Sequence, residues 1–413
     1  FLGTEFYSAV IREILANPEA YGRSEYGRDE KVMVEFVSAN PTGPMHMGNA
    51  RGGALGDCLA AVLDKAGYNA WREFYVNDAG NQIEKFGCSL EARYLQIFKG
   101  DKIEFPEDGY QGEDIKDLAK EYADLNGDSL VNVSAKERKK ALVDYALPKN
   151  IKKMQADMEK YKIFYDKWFF ESELHKSGAV KAVVDLLTKK GLTYEKEGAV
   201  WYKNKEVLTQ KLLKEGKSQK YIDNLELKDD VLIRQNGNPT YFTADIAYHK
   251  NKFDRGFTTL IDVWGADHHG HVMRMKGAMD AIGYDGDKLN VVLMQLVKLV
   301  KDGELVKMSK RTGKAIQLGD LLDEVPVDSA RFLFNTKEAN TQMDFDLDLA
   351  VSQDNQNPVY YVQYAHARIC SIFKSLAKEG ISPRECTDAE LALLTAPEEK
   401  ELINHLASYT NEI

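Results

Sequence analysis

Two separate stretches of the sequence carry side chains that could bind a polyphosphate. In the first, a proline-containing turn, His46 and Asn49 stand on either side of Gly48. In the second, residues 302–314, four cations and two glycines occur in one polar run. Lysine ammonium groups neutralise phosphate charge, and glycines allow a loop to close over a ligand. Each stretch alone has a simpler interpretation, as a turn beside a helix or as a solvated loop, so their joint occurrence is what favours a phosphate site.

The first stretch is predicted to join a strand to a helix. Residues 31–38 are rich in the β-branched and aromatic side chains that are typical of strands. From Gly48, apolar residues recur at spacings of three and four until Gly67, which predicts a helix that ends there. Such a strand–turn–helix unit points backbone N–H groups and the positive end of a helix dipole toward the carboxyl edge of a sheet. That edge is where we expect an anion to bind.

The composition limits the classes of protein to which the chain can belong. The 413 residues are enough for two or three domains, and 65 acidic against 55 basic residues give a net charge of −10, so the chain as a whole does not indicate nucleic-acid binding. The four cysteines are widely spaced, which argues against a disulfide framework or a zinc knuckle and favours the reducing cytoplasm. Neither a membrane-spanning apolar run nor a signal peptide is visible. We expect a soluble, cytoplasmic protein that does not contact membranes.

The alternation of strand and helix patterns predicts an α/β fold with a parallel sheet. The pattern runs over 31–86 and resumes over 231–325 with a strand at 231–234, whereas 87–230 is dominated by lysine- and glutamate-rich helical stretches. We therefore predict a sheet domain in two halves, interrupted by a mainly helical inserted domain. The chain starts without methionine and ends inside a helix-like pattern, so it is interpreted as a fragment truncated at both ends. The rest is expected to comprise a remnant of an N-terminal domain or linker at 1–30, a connection at 326–350 and the start of a truncated helical domain at 351–413.

Several stretches resemble arginyl-tRNA synthetases of the bacterial type. The turn from His46 to Asn49 and the run Lys307-Met308-Ser309-Lys310 are similar to the HIGH and KMSK signatures of class I aminoacyl-tRNA synthetases. Further resemblance lies in 35–51, 75–82, 241–249, 265–271, 344–348 and 357–368. The resemblance implies a Rossmann-like catalytic domain of the HUP type, with an inserted connective domain and the start of an α-helical anticodon-binding domain.

The resemblance also implies a reaction. The chain would use ATP with Mg²⁺ to activate L-arginine and would pass the arginyl group to the 2′-hydroxyl of the terminal adenosine of tRNA(Arg). Magnesium would be held mainly by the phosphates. Members of the family typically need bound tRNA even for the first step, so a fragment without its tRNA-binding parts is expected to be weak or inactive in aminoacylation. A monomer is our default expectation.

By resemblance, His46, Lys307 and Lys310 are the catalytic residues. His46 would donate to phosphate oxygens while the two lysines clamp the α-phosphate and the pyrophosphate, because this chemistry needs positioning and charge stabilisation. Asn49 departs from the family, which usually has a second histidine there; its amide still donates hydrogen bonds but carries no charge. Activity is expected to be retained. The full set expected to bind ATP is Pro44, His46, Gly48, Asn49, His268, Lys307, Met308, Ser309 and Lys310.

A guanidinium group requires carboxylates in a planar, bidentate arrangement. The resemblance implies that Glu171 and Asp245 face it with Tyr241 beside them. The residues expected to orient the α-amino and carboxyl groups of arginine, or to form the pocket wall, are Glu35, Ser38, Asn40 and Asp267. Without the resemblance, any single one of these carboxylates would be interpreted as a surface group, because acidic residues are abundant in this chain. His268, His269 and His271 are expected to line the nucleotide pocket rather than to bind zinc, since no H-E-x-x-H pattern or cysteine accompanies them.

Two other functions stay open at this point. One is another class I synthetase or an HxGH nucleotidyltransferase, against which the acidic pocket argues because it suits a cationic amino acid. The other is a tRNA- or nucleotide-binding paralogue without catalysis. Asn49 is its only support, and His46, Lys307 and Lys310 count against it.

Overall fold

The computed structural model describes residues 3–306 and 316–413. In these ranges the strands are β1 Lys31–Glu35, β2 Asn69–Val76, β3 Lys167–Phe170, β4 Thr193–Lys196, β5 Ala199–Tyr202, β6 Asp230–Ile233, β7 Thr259–Gly265, β8 Leu289–Met294, β9 Val297–Lys301, β10 Glu304–Val306 and β11 Met343–Asp346. The helices of the first half are α1 Thr4–Ala16, α2 Gly48–Lys65, α3 Asn81–Lys99, α4 Glu113–Asn126, α5 Ala135–Lys160, α6 Glu171–Lys176, α7 Ala179–Lys189, α8 Asn204–Lys214 and α9 Gln219–Asn224. Those of the second half are α10 Tyr241–Asp254, α11 His269–Ile282, α12 Leu318–Glu324, α13 Val327–Phe334, α14 Leu347–Val351, α15 Pro358–Lys378, α16 Asp388–Leu391 and α17 Pro397–Glu412.

The central element is a five-stranded sheet in the order β3-β2-β1-β7-β8, and all its pairings are parallel. The predicted parallel sheet is therefore confirmed. Strand β1 lies in the middle, and four of its five residues are buried, because helices cover both faces of a parallel sheet. Glu35 at its end is level with Glu73 on β2 and with Asp262 on β7, so three carboxylates lie side by side in the sheet.

The predicted limits of the inserted domain differ from the structure in two places. Strand β3 lies inside 87–230, yet it pairs with β2 and is the edge strand of the central sheet. Strand β6, expected to resume the parallel pattern, instead pairs antiparallel with β5 in a separate sheet of order β4-β5-β6. Both are four-residue strands, too short for their own pattern to reveal which sheet they join.

A third sheet, of order β10-β9-β11, follows the central one. Strand β9 runs antiparallel to β10 and parallel to β11, and β10 ends at Val306. Phe345 of β11 stacks on Phe334 of α13 with 4.4 Å between ring centroids. This small sheet therefore packs into the main apolar core and carries the chain to residue 307.

Helices at the two ends of the described chain pack together. Tyr7 and Val10 of α1 form a small apolar cluster with Ile403 of α17, and the Tyr21 hydroxyl donates to the carbonyl of Leu406 over 2.7 Å. Residues 1–30, expected to be a remnant or linker, thus include a helix with tertiary contacts. The chain is not helical between α14 and α15, and Asn357 caps α15, which has a proline in its first turn. Over the described ranges, no helix is long and apolar enough to cross a membrane.

Candidate active site

A cavity of about 500 Å³ opens at the carboxyl ends of β1, β2 and β7. The chain bends sharply there after β1, and Val37 and Ser38 have φ angles of 73° and 26°. The left-handed region is costly for a β-branched residue, about 1–3 kcal/mol, so other contacts must hold the bend. The Ser38 hydroxyl supplies two of them, because it donates to Glu35 Oε1 over 2.7 Å and accepts from the Tyr75 backbone N–H over 3.1 Å.

A buried ion-pair network lies below this cavity. Lys252 Nζ donates to Glu35 Oε2 over 2.5 Å and to Asp262 Oδ1 over 2.8 Å, and its side chain is fully buried. His249 bonds Asp262 Oδ2 through Nε2 over 2.7 Å. Burial acts to raise the pKa of Asp262, but the charges of Lys252 and His249 outweigh it and lower that pKa to about 2. For Glu35 burial prevails over Lys252, and the pKa is raised. The Glu35 carboxylate therefore belongs to this network as well as to the cavity wall.

Asp245, one turn into α10, projects its carboxylate into the cavity wall. Its Oδ2 lies 3.2 Å from His271 Nε2, and His271 Nδ1 lies 3.1 Å from Arg274 Nη2. A guanidinium can only donate, so His271 Nδ1 accepts and Nε2 carries the proton that is donated to Asp245. The histidine thus fixes one oxygen of Asp245 and leaves the other for a ligand.

Glu171 lies at the wall of a neighbouring cavity of about 610 Å³, and only 3% of the residue is exposed. Its Oε1 is 3.2 Å from His175 Nε2, and Asn77, with its amide nitrogen turned toward it, donates to Oε2 over 2.6 Å. Burial raises the pKa of Glu171 against the lowering effect of the hydrogen bond from His175. Tyr241 lines both cavities, so the two spaces adjoin at the tyrosine.

The structure brings most of the residues predicted to bind arginine together. Glu35, Ser38, Asn40, Tyr241 and Asp245 line the 500 Å³ cavity, and Glu171 lines the adjoining one. His268, predicted to bind ATP, and His271 line the first cavity too, whereas His269 lines neither.

Asp267, also predicted to bind arginine, lies outside both cavities. Its side chain is 83% exposed and lies 3.7 Å from His268 Nε2, and it lines neither of these two cavities. Residues Ala266–His268 form a single 3₁₀ turn between β7 and α11, and this turn directs the carboxylate outward.

The histidine turn lies at the N-terminus of α2. His46 and Gly48 are exposed, and the Asn49 side-chain oxygen accepts from the His46 backbone N–H over 3.1 Å. Asparagine at this position therefore closes the turn. Pro44, His46, Gly48 and Asn49 line neither of the two cavities above, so a nucleotide bound at the turn would lie beside the amino-acid cavity rather than within it.

The predicted lysine signature, Lys307 to Lys310, lies outside the described residues. The chain that follows it returns to the histidine turn, because Met47 N–H donates to the Ile316 carbonyl over 3.1 Å and Leu318 N–H donates to the Met45 carbonyl over 2.9 Å. The far boundary of the segment 307–315 is therefore bonded to the turn that contains His46.

Sequence reasoning missed the buried network. Lys252 and His249 lie on α10 among apolar neighbours, and Asp262 interrupts an apolar strand. Charged residues are almost never fully buried unless they are paired, so an aspartate within a strand as apolar as β7 was the available signal. It predicts that a cation is nearby but not which one.

A parallel sheet whose central strand leads into a histidine turn at a helix N-terminus, beside an acidic cavity at the same sheet edge, is the arrangement of a class I aminoacyl-tRNA synthetase. The family model for tRNA synthetases class I (R), catalytic domain, matches residues 10–370, and the model for the DALR anticodon binding domain matches residues 362–413.

The relatives agree on the amino acid. An arginine–tRNA ligase of Ruminiclostridium cellulolyticum is 56% identical over all of this chain and 70% of its own length, and one of Acetivibrio thermocellus is 54% identical over all of this chain and 71% of its own. The arginyl-tRNA synthetase structure from Campylobacter jejuni has a TM-score of 0.82 at 35% identity, over 99% of this chain and 86% of that one. The chain belongs to the arginyl-tRNA synthetases, a family of class I aminoacyl-tRNA ligases.

Proposed function

We propose that the chain activates L-arginine with ATP and transfers the arginyl group to the 2′-hydroxyl of the terminal adenosine of tRNA(Arg). In the first step a carboxylate oxygen of arginine attacks the α-phosphorus, and the bond to the β-phosphate oxygen breaks to release pyrophosphate. In the second step the 2′-hydroxyl attacks the activated carbonyl and AMP leaves. The observation that carries the proposal is the position of Asp245 and Glu171 in two cavities that adjoin at Tyr241.

Asp245 and Glu171 are suited to bind the guanidinium. Each is tied to a histidine on one oxygen, at 3.2 Å in both cases. Fixing one oxygen orients the carboxylate plane, and oriented carboxylates bind the planar guanidinium through paired hydrogen bonds. Tyr241 offers a ring and a hydroxyl between them. The side chain of arginine would then point toward the junction of the two cavities.

The α-amino and carboxyl groups would lie at the β1 end. Glu35, Ser38 and Asn40 line the cavity there, and the charge of Glu35 is partly balanced by Lys252 below. Asp267 is left out of the proposed contacts with arginine, because its exposed carboxylate does not support one.

The phosphates would lie at the histidine turn. The N-terminus of α2 offers the positive end of its helix dipole to an anion, and His46 is exposed beside it. We propose that Lys307 and Lys310 complete this site, with Met308 and Ser309 contacting ATP. Mg²⁺ would arrive with ATP and be held mainly by its phosphates.

The remaining proposals concern organisation. We infer that 31–86 and 231–325, joined by β3 from within the predicted insertion, form the catalytic domain, and that 351–413 belong to the anticodon-binding region. We propose a monomer that works in the cytoplasm.

Calorimetry with amino acids of matched shape tests the substrate. Arginine and citrulline have nearly the same shape, but only arginine carries the guanidinium charge that the carboxylates would bind. We expect arginine to bind, and lysine and citrulline to bind at least about 100-fold more weakly, since a site built for specific hydrogen bonds rejects analogues that leave its polar groups unpaired. Equal affinity for arginine and citrulline would contradict the proposed pocket.

A further inference from the structure

His271 lies between a cation and an anion at the wall of the cavity of about 500 Å³. Its Nδ1 is 3.1 Å from Arg274 Nη2, and its Nε2 is 3.2 Å from Asp245 Oδ2. The imidazole also packs against two aromatic rings, with 5.6 Å to Phe242 and 5.4 Å to Trp264 between ring centroids. This packing holds the two ring nitrogens on their present partners.

The contact with Arg274 requires an unprotonated Nδ1. A guanidinium has hydrogens to donate and no lone pair to offer, so the Nδ1 of His271 must supply the lone pair of this hydrogen bond. A proton on that nitrogen would face the hydrogens of Arg274 and bring two positively charged groups to 3.1 Å from each other. Histidine is otherwise the side chain that most readily gains a proton near neutral pH. The geometry therefore keeps His271 uncharged.

Arg274 is itself fixed from its other side. Its Nη1 donates to Asp230 Oδ1 over 2.6 Å, at the start of β6. Its guanidinium carbon lies 5.5 Å from the centre of the Phe242 ring. The carboxylate of Asp230 balances the charge of the arginine and leaves Nη2 directed at His271. A continuous chain of hydrogen bonds thus runs from β6 through α11 to the Asp245 carboxylate on α10.

The charge of His271 matters because Asp245 has a single negative charge to offer a ligand. A neutral imidazole takes one carboxylate oxygen in a hydrogen bond and leaves the charge in place, whereas an imidazolium would cancel it. Hydrogen bonds from a guanidinium to a charged carboxylate are about twice as strong as neutral ones, so an uncharged His271 leaves Asp245 attractive to a cation. The other titratable side chains that line this cavity, and that form no hydrogen bond with His271 in the described ranges, are Glu35, Tyr75, Tyr241, Tyr248, His249 and His268.

We propose that Arg274 is a positioning residue for the binding of arginine, which keeps His271 uncharged so that the full charge of Asp245 is available to the guanidinium of the ligand. This inference rests on the proposed function. Arg274 lines neither of the two cavities, so it acts through His271 and does not touch the ligand. Its effect is to make arginine binding insensitive to a histidine that would otherwise titrate near neutral pH.

The test measures the Kd for arginine by calorimetry at about pH 8 and about pH 6, in the parent and in Arg274→Met. Without the guanidinium, the Asp245 carboxylate favours a second proton on His271, and that proton competes with the ligand for the charge. At the higher pH we expect the two proteins to bind arginine within about threefold of each other. At the lower pH the Kd of the variant should exceed that of the parent about tenfold, as expected when a charged hydrogen bond is weakened.

Three further variants separate this role from a loss of structure. Arg274→Lys keeps a positively charged donor and should restore the parental dependence of the Kd on pH. Arg274→Met combined with His271→Gln should also lack the additional loss at low pH, because a glutamine amide can donate to Asp245 but never carries a charge. Lys211→Met removes another partly buried cation that contacts α11, where it bonds Asp280 over 2.6 Å. It should keep the parental Kd at both pH values.

Nitrogen-15 NMR of the histidine rings gives a readout that needs neither a variant nor a ligand. In the parent near neutral pH, Nδ1 of His271 should be unprotonated and Nε2 should carry the proton. A doubly protonated ring in the parent would overturn the role of Arg274. So would a ratio of Kd between Arg274→Met and the parent that is the same at both pH values, since a purely structural defect would have that effect. A parent that binds no arginine would refute the proposed function, whereas a charged His271 in a parent that binds arginine would refute only this inference.

Discussion

The two ends of the site are held in different ways. At the amino-acid end, side chains such as Glu35, Asp245 and Glu171 are fixed by buried or partly buried partners. At the phosphate end, His46 is exposed, and the fixed parts are backbone bonds to Ile316 and Leu318. In the proposed site, selection of the amino acid would therefore depend on charges that are in place before the ligand arrives, whereas handling of the phosphates would depend on where the main chain is placed.

This contrast predicts that the two ends fail differently when mutated. Substitutions at the amino-acid end should change stability or arginine affinity, because buried charges lose their partners. Substitutions at the phosphate end should change rate with little effect on stability, because His46 is exposed.

The largest effect is expected at Lys252. Its replacement by methionine leaves Glu35 and Asp262 buried without their shared cation, and breaking a buried ion pair from one side costs about 3–5 kcal/mol. We expect that loss in the free energy of unfolding, measured by urea denaturation. Lys250→Met, two residues earlier on α10 with a half-exposed partner in Asp254, is the control and should cost about 1 kcal/mol or less. Equal losses in the two variants would show that the network does not support the cavity.

At the phosphate end, His46→Ala should lower ATP–pyrophosphate exchange about 100- to 1,000-fold, as expected for loss of a donor to a developing charge. Lys310→Ala should do the same, and both variants should keep the parental free energy of unfolding. The control is Asn49→His, because an imidazole Nδ1 can accept from the His46 N–H as the asparagine oxygen does. Exchange in this variant should be kept or raised. Parental exchange rates in the two alanine variants would refute the assigned roles.

Asp245→Asn tests the amino-acid end without removing a buried partner. A hydrogen bond to a charged group is worth about 1.5–3 kcal/mol, so the Kd for arginine should rise about ten- to a hundredfold. Asp254→Asn, at the far end of the same helix, should leave the Kd unchanged. Calorimetry measures both, and an unaltered Kd in Asp245→Asn would place the guanidinium elsewhere.

The smallest effect is a pH dependence. Burial raises the pKa of Glu171 above its usual value, so the charged form is complete only at a pH above that raised pKa. Arginine should therefore bind most tightly at high pH, and its affinity should fall as the pH drops through the raised pKa of Glu171. This pKa lies above the usual value for a glutamate, which is about 4.3. Glu171→Gln should bind arginine more weakly and lack this step. A step of the same size and position in both proteins would assign it to another group.

Local pattern was sufficient where an element is long and periodic. Helix α2 was predicted with its ends correct to within about two residues, as strong periodicity allows. Strand β3 was missed as part of the central sheet because its partner β2 lies far away in the sequence, and neither strand's composition encodes that pairing. The direction of a side chain could not be predicted from the sequence either. Asp267 was assigned to the pocket because of the residues around it in the sequence, but a 3₁₀ turn determines which way its carboxylate points.

The predicted site residues divide in the same way. Asp245 and Tyr241 were predicted as site residues because a short stretch resembles the family, and they lie one turn apart on one helix. Lys252 lies on that same helix and resembles nothing in particular. Whether a lysine is fully buried depends on two carboxylates, one from β1 and one from β7, and that information exists only once the sheet has formed.

The contact between α1 and α17 limits how the C-terminal helices can move. Among the residues that the structure describes, α15 is bonded to α13, since Gln363 donates to Asp328 over 3.3 Å, and α17 packs against α1. The chain after α1 is bonded to the far end of α2, since the Ser24 N–H donates to the Lys65 carbonyl over 3.1 Å. Two attachment points restrict the C-terminal helices to rotation about the line between these points. One of the points lies next to the end of α2 that is opposite His46.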